Sequence, residues 1–244
     1  MNFLAHFVIA TRFLTPQEPL SAYVVGTALP DLLPLAAERV RLRPAQVEQR
    51  AARTEFEGAL SAGISVHLAT DAAFHKTAAF AEVQSEVSEL LAETAFDGIR
   101  VRRFFAVHVL AEMVLDAVLL RVEPALADDF YAEFAAADRA AVMHRAEAVT
   151  GKPLPNLPGV LMRFARSGYL RGYAEDDDVA TGFSNLCRRE GQDTFEGDNF
   201  TRLVHVVSQT AARLPPYVPA LLSETAAGIS QARQEERDAA ANAT

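Results

Sequence analysis

Tryptophan is absent from the chain and cysteine occurs once, at Cys187, so no internal disulfide can form and the sequence suits a reducing compartment. Basic residues are outnumbered: 23 Lys and Arg stand against 32 Asp and Glu, a formal net charge of −9. That balance argues against a general nucleic-acid or anionic-membrane surface, because phosphate affinity rests on clustered Lys and Arg. Alternating β-branched stretches with hairpin turns are scarce. There is no Gly-rich phosphate loop, dinucleotide fingerprint, Gly-x-Ser-x-Gly elbow or Cys-x-x-Cys pair. The apolar opening reads as no secretory signal, since no basic residue precedes its apolar stretch and His6 and Arg12 interrupt it. The longest apolar run, 104–120, holds His108, Glu112 and Asp116, which are costly in lipid, so it reads as a buried helix and not a membrane span. The expected protein is cytoplasmic, without a transmembrane segment or a nucleic-acid partner.

What is present is ordinary globular composition. Of 244 residues, 50% are apolar and 23% charged, ample for one large core. The pattern predicts an all-α, single-domain helical bundle over 1–230, followed by a polar, Ala-rich tail at 231–244 that frays. Helices are expected at 2–14, 54–79, 80–94, 100–122, 159–172, 177–190 and 198–213, with one or two over 125–150 and a last one starting near Pro219. Gly58 and Gly63 weaken the second of these, each by about 1 kcal/mol relative to Ala. A proline-rich connector at 151–158 is the best internal boundary, but it is short.

The informative feature is where the ionisable residues fall. His67, Asp71 and His75 are spaced i, i+4, i+8 on the apolar side of one helix. His108, Glu112 and Asp116 repeat that spacing, and every other residue from 104 to 120 is apolar. Buried carboxylates and imidazoles must find partners or become neutral. The two stripes can answer each other across the bundle as a structural network, or share a divalent cation, since His, Asp and Glu facing inward from bundle helices are a known metal-binding device. Read alone, His6 is a core histidine and Asp31, between Pro30 and two leucines, an N-cap. Arg188 and Arg189 end a helix, where cations are favoured, and are also suited to a phosphate.

Several segments resemble bacterial acyl carrier protein phosphodiesterases. The opening Met1-Asn2-Phe3-Leu4-Ala5-His6 is similar to the start of that family, and Gly26 to Asp31 to its early aspartate segment. Gly63-Ile-Ser-Val-His67-Leu-Ala-Thr-Asp71 resembles its Gly-Ile-x-x-His-x-x-x-Asp segment, and Glu112 to Asp116 its later aspartate helix. Tyr169 to Tyr173 and Asn185 to Arg189 are similar to its C-terminal part. Two positions depart: Leu68 stands where the family has Arg, and His75 where it has a carboxylate. The resemblance implies an all-α, HD-domain-like, metal-dependent phosphohydrolase acting on the phosphopantetheine linkage of acyl carrier protein or on a related small phosphoester.

On that basis His6, Asp31, His67, Asp71 and Asp116 are the expected metal ligands, with manganese the favoured ion and iron, magnesium or zinc also compatible. His75, His108 and Glu112 are the expected catalytic groups, moving a proton or orienting a ligand. Arg188 and Arg189 are the expected substrate contacts. Acyl carrier protein is acidic, so docking it needs a local basic patch, for which Arg39, Arg41, Arg43, Arg50 and Arg53, or Arg100, Arg102 and Arg103, are available. Two other readings remain open. One is a non-catalytic helical protein that uses the stripes for packing specificity. The other is a lipid- or acyl-binding module, suggested by the apolar helices and fifteen Phe.

Overall fold

A computed structural model describes residues 2–38 and 40–242. Arg39, one of the arginines offered above for docking, lies outside the described residues. Twelve α-helices appear among the described residues, with no strand. They are α1 (Phe3–Val8), α2 (Leu20–Ala36), α3 (Pro44–Glu48), α4 (Glu55–Phe74), α5 (Ala78–Glu93) and α6 (Arg103–Val122), then α7 (Leu126–Ala136), α8 (Arg139–Thr150), α9 (Leu157–Ser167), α10 (Asp176–Arg189), α11 (Gly197–Arg213) and α12 (Val218–Asn242). The all-α expectation therefore holds. One continuous apolar core runs from Phe3 to Ile229, and α9 packs on α2 and α8, so the 151–158 connector divides nothing. No helix among the described residues is long and apolar enough to cross a membrane.

Several boundaries differ from the sequence pattern, each for a local reason. The first helix is not continuous over 2–14. After Val8 it widens into a π-helical turn, Ile9–Phe13, closed by the Leu14 N–H on the Ile9 carbonyl at 3.1 Å. The helix expected to reach 79 stops at Phe74, because the Thr77 hydroxyl accepts the Phe80 N–H and starts α5. His75 thereby sits at a helix end. Of the one or two helices expected over 125–150 there are two, divided at Asp138, whose carboxylate caps α8 through the Ala140 and Ala141 N–H groups. Within the tail expected at 231–244, α12 runs to Asn242, with i,i+4 bonds from Gln231 to Glu235 and Gln234 to Asp238, and residues 243–244 lie outside the described residues.

The glycines of α4 do not interrupt it. Gly63 lies against Gly26 of α2, and a Cβ on either residue would run into the other helix's backbone: Tyr23 O for Gly63, Leu60 O for Gly26. Two facing glycines let α2 and α4 touch backbone to backbone, and these two helices pack together more extensively than any other pair. This contact positions the site, since Thr27 is next to Gly26 and His67 lies one turn beyond Gly63.

Candidate metal centre

Pro30 and Pro34 lie inside α2. Pro30 has no N–H for the Gly26 carbonyl and crowds it, loosening the helix ladder beside Thr27. The Thr27 carbonyl accepts a hydrogen bond from His67 Nδ1 at 2.7 Å. A carbonyl only accepts, so the Nδ1 of His67 carries the proton. In the neutral ring the Nε2 lone pair is thereby turned outward. There it meets carboxylates: Asp71 Oδ2 at 3.4 Å and Asp31 Oδ1 at 3.7 Å.

His6 of α1 completes this group. Its ring stacks on that of His67, with centroids 4.0 Å apart and planes 17° from parallel. His6 is 1% exposed, and neither of its ring nitrogens has a hydrogen-bond partner among the described residues, although Nε2 stands 3.2 Å from Asp71 Oδ1. Burial, and then the neighbouring His67, push the His6 pKa down to about 3, so the ring is neutral. Burial opposes charge on Asp71 as well, but the contacts with His6 and His67 outweigh it and hold this carboxyl well below its usual range. Burial also opposes charge on His67, and Asp71 and Asp31 outweigh it and raise its pKa. One ligand atom from each of His6, His67 and Asp71 falls within 4.8 Å of the others. A buried neutral imidazole, a tautomer locked from behind and two carboxylates in front form a donor set that a divalent cation would satisfy.

A second group lies in the same cleft. Glu112 Oε1 stands 3.0 Å from His75 Nε2 and 3.1 Å from His108 Nε2. Burial opposes the negative charge of Glu112, but its surroundings, including both histidines, outweigh burial and hold the carboxyl well below its usual range. The stripes are thus shared between two centres. At about 100° per residue, positions i and i+8 differ by about 80° around a helix. His75 therefore points away from His67 and towards α6, where it meets the first two residues of the other stripe.

The same rotation removes Asp116 from the expected ligand set. Asp116 is 0% exposed, and its Oδ2 and Oδ1 accept the N–H groups of Leu4 and Ala5 at 2.9 and 2.8 Å. Asn2, at the N-cap of α1, makes no side-chain cap bond, so a carboxylate from α6 serves that end of the helix. Burial pushes the Asp116 pKa up to about 7 against the pull of those two N–H groups. Asp116 seats the helix that carries His6 and stands in neither donor cluster. Asp31 does not cap α2 either; it lies inside that helix, 40% exposed at the side chain, beside the donor group.

The carboxylates of the first group and all of the second reach a cleft of about 1210 Å³, lined by Asp31, Asp71, His75, His108 and Glu112 together with residues of α9, α10 and the 3₁₀ turn Tyr169–Ala174, while His6 and His67 lie buried behind it. Of the two expected arginines, Arg189 lines the cleft; Arg188 does not and instead holds Asn185 Oδ1 at 3.0 Å. Arg41 lines it too, reached by the chain between α2 and α3. Neither Arg41 nor Arg189 forms an ion pair among the described residues. Tyr169 and Tyr173, quoted above only for their resemblance, form part of the far wall, and the Tyr173 hydroxyl pairs with the Asn2 side chain. Of the other candidate docking arginines, Arg103 is tied to Ser88 and Arg102 lies over the Phe105 ring. Comparison with family models, with curated proteins and with solved structures finds no match for this chain.

Proposed function

We propose that this chain is a divalent-metal-dependent phosphoester hydrolase, acting on a small phosphoester or on the phosphopantetheine linkage of acyl carrier protein. The observation that supports it most is His67. Its Nδ1–H is committed to the Thr27 carbonyl, and its Nε2 faces Asp31 and Asp71 beside the buried ring of His6, whose Nε2 is 3.2 Å from Asp71. Two imidazoles and two carboxylates suit manganese, and iron, magnesium or zinc share the preference. These four side chains would hold the cation, which would supply Lewis acidity towards a phosphoryl oxygen and a lowered pKa for water.

The remaining work belongs to the chain. Burial keeps His6 neutral and available as a donor, while Asp71 stays ionised to balance positive charge. Arg41 and Arg189 line the cleft without an ion pair among the described residues and are suited to the non-reacting phosphoryl oxygens, which a planar guanidinium binds two at a time. The cleft is larger than a phosphate group needs, leaving room for a leaving group along Tyr169 and Leu35.

The test strips the protein with a chelator, restores manganese, and follows three substrates: nitrophenyl phosphate, bis-nitrophenyl phosphate and phosphopantetheinylated acyl carrier protein. Manganese-dependent hydrolysis of at least one, lost in Asp71→Asn, is expected. No hydrolysis by manganese-loaded protein, or equal rates in wild type and Asp71→Asn, refutes the reading in favour of a structural network.

A further inference from the structure

From the group built by His75, His108 and Glu112 we infer a second divalent-cation site, distinct in its ligands from the first; it deepens the hydrolase reading above and rests on it. The three ligand atoms lie within 4.8 Å of one another, and Glu112 Oε1 is shared between both Nε2 atoms. Two imidazoles with one carboxylate form a compact three-donor face, a set that iron, manganese and zinc accept.

Three features separate this group from a hydrogen-bonded triad that merely satisfies itself. The rings are held by packing. His75 stands edge-on to Phe74 and tilted against Phe80, His108 stands edge-on to Phe80, and the two imidazoles are 4.7 Å apart. Rings fixed by aromatic neighbours keep their Nε2 atoms aimed at one point without needing each other's protons. Behind His108, the Gln84 amide nitrogen lies 3.4 Å from Nδ1, and with that amide turned over its oxygen would accept the Nδ1 proton and leave the Nε2 lone pair for a cation. Finally, the group is only half-buried and faces the cleft, so coordination positions remain on the side from which water and substrate arrive.

The location fits as well. His67, Asp71 and His75 stand on successive turns of α4, and at 1.5 Å per residue Asp71 and His75 are about 6 Å apart along its axis. Two cation sites on adjoining turns place two positive centres on one wall of the cleft, opposite α10 with Arg189. That suits a substrate whose phosphoryl group spans both.

The experiment is equilibrium manganese titration of chelator-stripped full-length protein, read as bound metal per chain and by electron paramagnetic resonance. Two ions per chain are expected for wild type. One is expected for His108→Ala and for His75→Ala, whose half-exposed side chains can be truncated without collapsing the core. One is expected for Asp71→Asn, with the retained ion at the other site. One ion in wild type, unchanged in His108→Ala and lost in Asp71→Asn, overturns the second site, makes the triad an acid–base relay and leaves the hydrolase reading standing. The reverse pattern, one ion lost in His108→Ala and kept in Asp71→Asn, upholds this site and removes the first. No bound manganese in any form overturns both.

Discussion

Replacing Asp116 by Asn separates an anchor from a ligand. The carboxylate holds two buried N–H groups, those of Leu4 and Ala5, at 2.9 and 2.8 Å. An asparagine of the same shape keeps one acceptor and turns an amide N–H₂ towards the other donor. Leaving one buried backbone donor unsatisfied costs about 1–3 kcal/mol. For a chain of this size that is a fall in melting temperature of roughly 2–12 °C. Asp116→Ala strands both donors and leaves a small void, so its fall should be larger. The His6, His67, Asp71 and Asp31 side chains are untouched, so manganese should still raise the melting temperature of Asp116→Asn, at a weakened affinity because His6 rides on the loosened helix. The assay is thermal unfolding of chelator-stripped wild type and variant across a manganese series. If manganese stabilises wild type and leaves Asp116→Asn unmoved at every concentration, Asp116 is itself a ligand and the anchoring argument fails.

The same residue carries a pH signature. Its folded pKa is raised by burial to about 7, well above the ordinary range of a free carboxyl. The folded state therefore holds a proton that the unfolded chain has lost over this interval, and stability from this group falls as pH rises through it. The stability gap between metal-free wild type and Asp116→Asn should shrink by about 2–3 kcal/mol from pH 5 to pH 8, measured by denaturant unfolding, and a constant gap would contradict the assignment. Gly63→Ala forces a methyl into the Tyr23 carbonyl, a backbone atom that no rotamer change relieves. It should cost about 1–3 kcal/mol or more and weaken manganese binding by parting His67 from Thr27, whereas an unchanged melting temperature would show that α2 and α4 can separate freely. Arg189→Ala should raise KM for a phosphoester several-fold with a smaller change in kcat, while Arg188→Ala leaves both as they were. Equal effects from the two would place the substrate outside the cleft described above.

The spacing of the two stripes was readable because 3.6 residues per turn makes i and i+4 neighbours whatever the tertiary fold. It was readable also because carboxylates and imidazoles stand out in helices otherwise apolar. How the stripes divide was not readable. Over eight residues the face drifts by about 80°, and only the placement of α1 and of the end of α4 shows that His75 turns to Glu112 while Asp116 turns to Leu4 and Ala5. The break before α5 had a signal in Thr77, whose hydroxyl is a good cap, but the apolar periodicity continues across it. Gly63 could be read as a weak point of a lone helix and became a contact surface once Gly26 faced it. Arg41 carries no periodic pattern at all; it reaches the cleft through an irregular connection, which sequence periodicity does not describe.

The route by which α1 enters the fold bears on how the protein should be handled. Asn2 lines the same cleft as the donor clusters, and His6 follows it by a single helical turn. Any chain fused ahead of Asn2 emerges beside the two donor clusters, and a run of histidines there would place a competing chelator within reach of them. Residues 237–239 and 241 near the end of α12 are exposed, and no described residue of α12 lines that cleft. An affinity handle attached after α12 leaves the measured metal content a property of the protein and not of its purification.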